Sequence, residues 1–129
     1  MTSKTHRTDI QVRFADTDAL GHINNASYAT YAEMARLDFL STLGESVQRM
    51  ILANLTIDFR RQVLPTDPVH VDSWVEKLGT SSMSIAHTIF ANGERAADVK
   101  SVVVYFDYAA SKAMPLTNAM REGLRPYVR

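Results

Sequence analysis

The stretch Asp16-Thr17-Asp18-Ala19-Leu20-Gly21-His22-Ile23-Asn24-Asn25-Ala26-Ser27-Tyr28 decides how this chain is read. It sets a carboxylate, a tight turn and a helix start side by side. Asp18 is chemically able to act as a base or a nucleophile. Gly21 lets the backbone fold back on itself. Asn24, Asn25 and Ser27 are residue types whose side-chain oxygens cap the first N–H groups of a helix. A carboxylate facing the positive end of a helix is suited to attack on a carbonyl.

Downstream of that stretch, Tyr28, Tyr31, Ala32, Ala35 and Phe39 recur at helical spacing, and Met34, Leu37, Leu40 and Leu43 widen the apolar surface beyond one stripe. The pattern predicts a helix from 25 or 27 to about 43, stopped by Gly44 and buried around much of its circumference. At ~1.5 Å per residue it would be roughly 25–30 Å long. Upstream, Ile10, Val12 and Phe14 alternate with Asp9, Gln11 and Arg13, which predicts a strand over residues 8–14. Residues 1–7 are expected to form a flexible N-terminus, and 8–129 a single domain.

Beyond the helix the period changes from helical to alternating. Strands are predicted over 55–63, 69–78, 83–90 and 96–108, with Pro65 to Pro68 as a turn and Asn92-Gly93 as a two-residue hairpin. Thr117 or Asn118 caps a short helix to about Leu124. Helix and strands are segregated, so the fold class is α+β: a curved antiparallel sheet of about five strands wrapped around one long central helix.

Composition narrows the function classes. Lys plus Arg equals Asp plus Glu, at 14 each. Bulk charge therefore gives no case for nucleic acid or an anionic membrane surface as partner. There is no cysteine, which excludes disulfides, thiolate metal sites and a cysteine nucleophile. No apolar leader opens the chain, and no apolar run approaches the ~18 residues of a membrane span. A cytoplasmic location is the expectation.

Asp16-Thr17-Asp18-Ala19-Leu20-Gly21-His22-Ile23-Asn24-Asn25, with the order of elements around it, resembles the hotdog-fold acyl-CoA thioesterases of the 4-hydroxybenzoyl-CoA thioesterase type. The similarity spans roughly residues 8–125. The first motif is its specific part, and the later strands match in rhythm. The resemblance implies hydrolysis of an acyl-CoA to a free acid and CoA. It also implies a homodimer or homotetramer with active sites at the subunit interface, and neither cofactor nor metal. In that family the second aspartate of the motif is the catalytic carboxylate, which falls on Asp18. A backbone N–H at the start of the central helix polarises the thioester carbonyl, which falls on Asn25.

Two departures bear on substrate. Ala19-Leu20-Gly21 stands where the 4-hydroxybenzoyl enzyme has Pro-Ala-Gly, so no 4-hydroxybenzoyl substrate is inferred. Leu20 stands where plant acyl-acyl carrier protein thioesterases have a functional asparagine, while His22 matches their histidine. His22 is thus a candidate to hydrogen-bond Asp18 or substrate, or else a turn residue. Asp16 has no role in the resemblance and reads as structural.

CoA carries phosphates, and Arg60 with Arg61 is the best basic pair for them, because adjacent strand residues point to opposite faces. Glu33 is a rival carboxylate on the helix, but Arg36 at i+3 makes it an ordinary ion pair. An acyl carrier protein substrate and a non-catalytic acyl-CoA-binding role are the alternative readings.

Overall fold

A computed structural model describes residues 3–129. Six strands and two α-helices follow in the order β1 (His6–Ile10), α1 (Asn25–Leu40), β2 (Met50–Phe59), β3 (Val69–Leu78), β4 (Ser82–Ala91), β5 (Glu94–Asp107), β6 (Lys112–Ala113) and α2 (Asn118–Leu124). The sheet is antiparallel throughout, in the order β1-β3-β4-β5-β2, and the two-residue β6 pairs with β5. Register shifts at Leu52/Asn54, Val75/Lys77 and Ile89/Phe90 add local twist. The sheet curls around α1, which packs on β1, β3 and β4. The α+β architecture follows the sequence reading.

Alternation along the strands divides inside from outside. Val69, Val71, Val75, Met83, Ile85, Ile89, Ala97, Val99 and Val103 face α1 and are buried. They form two apolar clusters. One gathers Tyr28, Tyr31, Val71, Ile89 and Val99 under the first half of the helix. The other gathers Phe39, Leu40, Val75, Met83 and Val103 under its second half. Between them lies a buried polar layer of Arg36, Ser73, His87 and Ser101.

Several boundaries differ from the sequence reading. β1 starts at His6 and ends at Ile10, so Val12 and Phe14 leave the sheet. Phe14 opens a 3₁₀ turn (Phe14–Asp16) and is 92% exposed. The partner strand explains this, since Ile10 pairs with Val69, the first residue of β3. Pro68 before it has no N–H to continue the ladder. Residues 1–2 of the expected flexible terminus lie outside the described residues.

The long helix ends at Leu40 rather than near Leu43, and a 3₁₀ segment (Ser41–Arg49) follows. Gly44 does not cap α1 but bends that segment, with φ +67. The helix is also less enclosed than expected: Met34 and Leu37 stand exposed on its outer side. β2 begins five residues earlier than predicted, at Met50. β3 spans the predicted range, Asn92 and Gly93 form the β4–β5 turn with φ of 53 and 78, and Thr117 caps α2 through its side chain.

Candidate active site

The loop ahead of α1 is closed on itself. Thr17 and Ile23 form an isolated antiparallel bridge. The Asp18 N–H donates to the His22 carbonyl at 2.8 Å. Gly21 takes φ +85, a conformation that costs a Cβ-bearing residue. The Asp18 side chain is the centre of this turn. Its Oδ1 accepts the Leu20 N–H at 2.8 Å and the His22 N–H at 3.2 Å. Its Oδ2 has no hydrogen-bond partner among the described residues. One carboxylate oxygen fixes the turn, and the other stays available at a half-buried position.

The start of α1 is satisfied almost completely. The Asn24 N–H donates to the Asp16 carbonyl at 2.8 Å, and the Ser27 N–H to the Asn24 carbonyl at 2.8 Å. Asn24 is the N-cap, with its Oδ1 accepting the Ala26 N–H at 2.9 Å. Asn25 is the first helical residue, not a side-chain cap. Its N–H has no acceptor among the described residues. The first turn of a helix carries unpaired donors and roughly half a positive charge. Here the local caps leave one of them, at Asn25, open.

His22 joins this loop through its backbone. Among the described residues no hydrogen bond links its imidazole to the Asp18 carboxylate. Arg60 and Arg61 both follow the end of β2, and the two side chains go different ways. Arg60 pairs with Asp98 at 3.0 Å. Arg61 pairs with Glu94. The Arg61 backbone lies beside the helix start, because the Tyr28 hydroxyl donates to its carbonyl at 3.1 Å and accepts the Val63 N–H at 3.1 Å. Glu33 is exposed and 4.0 Å from Arg36, an i,i+3 pair.

Two groups of residues have partners that a reading of the sequence does not supply, and the first, Asp16, is structural as expected. Asp16, two positions before Asp18, is buried at 3% exposure. Its carboxylate accepts the Arg13 N–H at 2.9 Å, the Arg13 guanidinium at 3.0 Å and the Tyr31 hydroxyl at 2.8 Å. Burial alone pushes its pKa up, but those three donors outweigh it and hold the carboxyl below its ordinary value. No local pattern in the sequence finds it, because its Tyr31 partner is met only once α1 is in place.

The second group is the polar layer. Ser73 Oγ lies 2.8 Å from His87 Nδ1, Ser101 Oγ lies 3.4 Å from Nε2, and Arg36 donates to Ser101 Oγ at 3.3 Å. Arg36 can only donate, so Ser101 Oγ accepts from it, and each imidazole nitrogen faces one serine hydroxyl. Desolvation, with the nearby Arg36 charge, pushes the His87 pKa down to about 3. His87 is therefore neutral at ordinary pH.

An open depression of about 430 Å³ lies elsewhere, on the outer face of the sheet beside Trp74, Glu76, Arg95 and Lys100. None of residues 16–25 lines it, and there Arg95 pairs with Asp98 and Lys100 with Glu76. No cluster of His, Cys, Asp or Glu suited to a metal occurs among the described residues.

A curled antiparallel sheet around one helix, with a carboxylate turn against the helix start, defines a class. Residues 12–124 match the thioesterase-like superfamily, and the chain belongs to it. The chain is 30% identical to the long-chain acyl-CoA thioesterase FadM of Escherichia coli (strain K12), over 95% of this chain and 99% of that protein. The hotdog fold is shared with a thioesterase from Thermus thermophilus solved with coenzyme A and Zn. That likeness has a TM-score of 0.86 and 34% identity, and covers 92% of this chain and 90% of that one. A predicted thioesterase from Bacillus stearothermophilus superposes with a TM-score of 0.91 at 28% identity, over 98% of each chain.

Proposed function

We propose that this protein hydrolyses acyl-CoA thioesters to a free acid and CoA, with Asp18 as general base or nucleophile and the Asn25 N–H as the donor to the carbonyl oxygen. The observation that carries this reading is the pairing of two unspent groups on one short loop: Asp18 Oδ2 and the Asn25 N–H. As base, Asp18 takes a proton from water, whose oxygen attacks the thioester carbon while the CoA thiolate leaves. As nucleophile, Oδ2 attacks that carbon directly, the thiolate leaves, and water then opens the mixed anhydride. In both routes negative charge grows on the carbonyl oxygen, where an open helix N–H stabilises it.

Similarity to FadM supports a long acyl chain as the substrate class. The apolar side chains left exposed on α1 and β2, among them Met34, Leu37, Leu52 and Phe59, offer surface for it. Arg61 is the better candidate for CoA phosphate, because its backbone borders the helix start. The same apolar surface, with the unpaired outer edge of β2, suits a second copy of the chain. A homodimer built along β2 is the assembly this reading expects. Sedimentation velocity tests it: a dimer for the parent chain and monomer for Leu52→Lys is the expected result, and a parent monomer overturns it.

The deciding experiment is CoA release from acyl-CoAs of graded length by the parent protein and Asp18→Asn. Loss of turnover in the variant is expected, and equal rates overturn the role of Asp18.

A further inference from the structure

We propose that Asp16 is a positioning residue that sets the geometry between Asp18 and the Asn25 N–H; this rests on the thioesterase reading above. Asp16 closes the 3₁₀ turn and is buried, while Asp18, two residues on, is only half-buried. Asp16 thus belongs to the core side of the loop. From there Asp16 holds three parts of the site at once. Its carboxylate takes the Arg13 N–H and guanidinium, which fixes the chain entering the loop. It also takes the Tyr31 hydroxyl, which fixes the body of α1. Its carbonyl takes the Asn24 N–H at 2.8 Å and the Ser27 hydroxyl at 3.2 Å, on either side of Asn25.

Asp18 hangs two residues beyond this knot, and the open N–H lies one residue beyond Asn24. Any shift of Asp16 therefore moves the two reacting groups relative to each other. A displacement of about 1 Å in such a pair costs on the order of a hundredfold in rate. Both oxygens of Asp16 accept hydrogen bonds. An amide in its place has one acceptor too few and presents an N–H₂ to donors, so Asp16→Asn perturbs the knot with almost no change in volume. Tyr31→Phe removes a single strand of it.

The experiment measures kcat and KM for CoA release from one acyl-CoA, per folded protein, with melting temperatures alongside. It uses the parent chain, Asp16→Asn, Tyr31→Phe and the double variant. For Asp16→Asn a fall of about a hundredfold in kcat is expected, with KM within about threefold. Tyr31→Phe should fall about tenfold, and the double variant should be no worse than Asp16→Asn, because Tyr31 acts through Asp16. Should Asp16→Asn not fold, Tyr31→Phe alone carries the test through its kcat. Unchanged kcat with a lowered melting temperature overturns the positioning role and leaves the thioesterase reading standing. A parent chain that releases no CoA from any acyl-CoA overturns both.

Discussion

The turn at the start of α1 and the polar layer between the two apolar clusters use the same kinds of group to opposite ends. At the turn, Asp18 keeps one oxygen without a partner and Asn25 keeps one open N–H. In the layer, His87 engages both ring nitrogens, with Ser73 and Ser101, and none of the fully buried side-chain polar atoms among the described residues lacks a partner. Hydrogen bonds that close on themselves hold a fold together, whereas groups left open at a defined spacing are free to meet a substrate. The difference between the regions is one of unused valence rather than of polarity.

Substitutions can break that contrast. The largest effect is expected at Asp18: Asp18→Asn should lower kcat by about 10²–10⁴-fold, the usual worth of a positioned base. Its melting temperature should move little, since the amide oxygen can still accept the turn N–H groups. His87→Leu should do the reverse. It strands the fully buried Ser73 hydroxyl, at a cost of about 1–3 kcal/mol, and leaves Ser101 with Arg36 alone. Denaturant unfolding should register that loss while kcat per folded molecule stays near the parent value.

The layer should also dominate the mild-acid behaviour. His87 has an ordinary value of 6.5 and is pushed down to about 3 in the fold. Between those values the unfolded chain binds a proton that the folded chain refuses, so stability falls as pH drops. Asp16, held below its ordinary 3.8, gives stability that is full above that value and is lost only in stronger acid. The range from about pH 6.5 down to about pH 4 therefore reports on His87. His87→Gln should flatten the stability curve there, and an unchanged slope would exclude His87 as its source. The smallest effect is expected at Asn25→Ala, within about twofold in kcat, because the backbone N–H survives and the helix N-cap belongs to Asn24. A large fall there would assign the work to the side chain.

Local chemistry makes much of this legible in the sequence. β3 is readable because Val69, Val71 and Val75 alternate cleanly against polar neighbours. The Asn92-Gly93 turn and the Thr117 cap declare themselves through backbone and side-chain preferences that need no tertiary context. The first residues of β2 are hidden because the register shift between Leu52 and Asn54 breaks the period of two. Phe14 reads as strand because alternation continues past the point where β3 can pair. In the site, Asp18 and the helix start are visible as a motif. Asp16 is not, because its meaning depends on Tyr31, a full turn and more into α1. The polar layer joins positions from Arg36 to Ser101, which only the folded sheet brings together.

The pairing of β1 with β3 carries a consequence for how the chain assembles. β4 joins β3 and β5 across short turns, so those three strands can zip with little loop closure. β1 must find residues 69–73 across α1 and β2. Its closure entropy is repaid only after the rest of the sheet exists. Once docked, it is latched to α1 by Thr8 and His6, both on Asp38, at 2.6 and 2.9 Å. β1 should therefore be the last strand to gain protection in pulse-labelled refolding, closing the sheet over a helix that has already found its place.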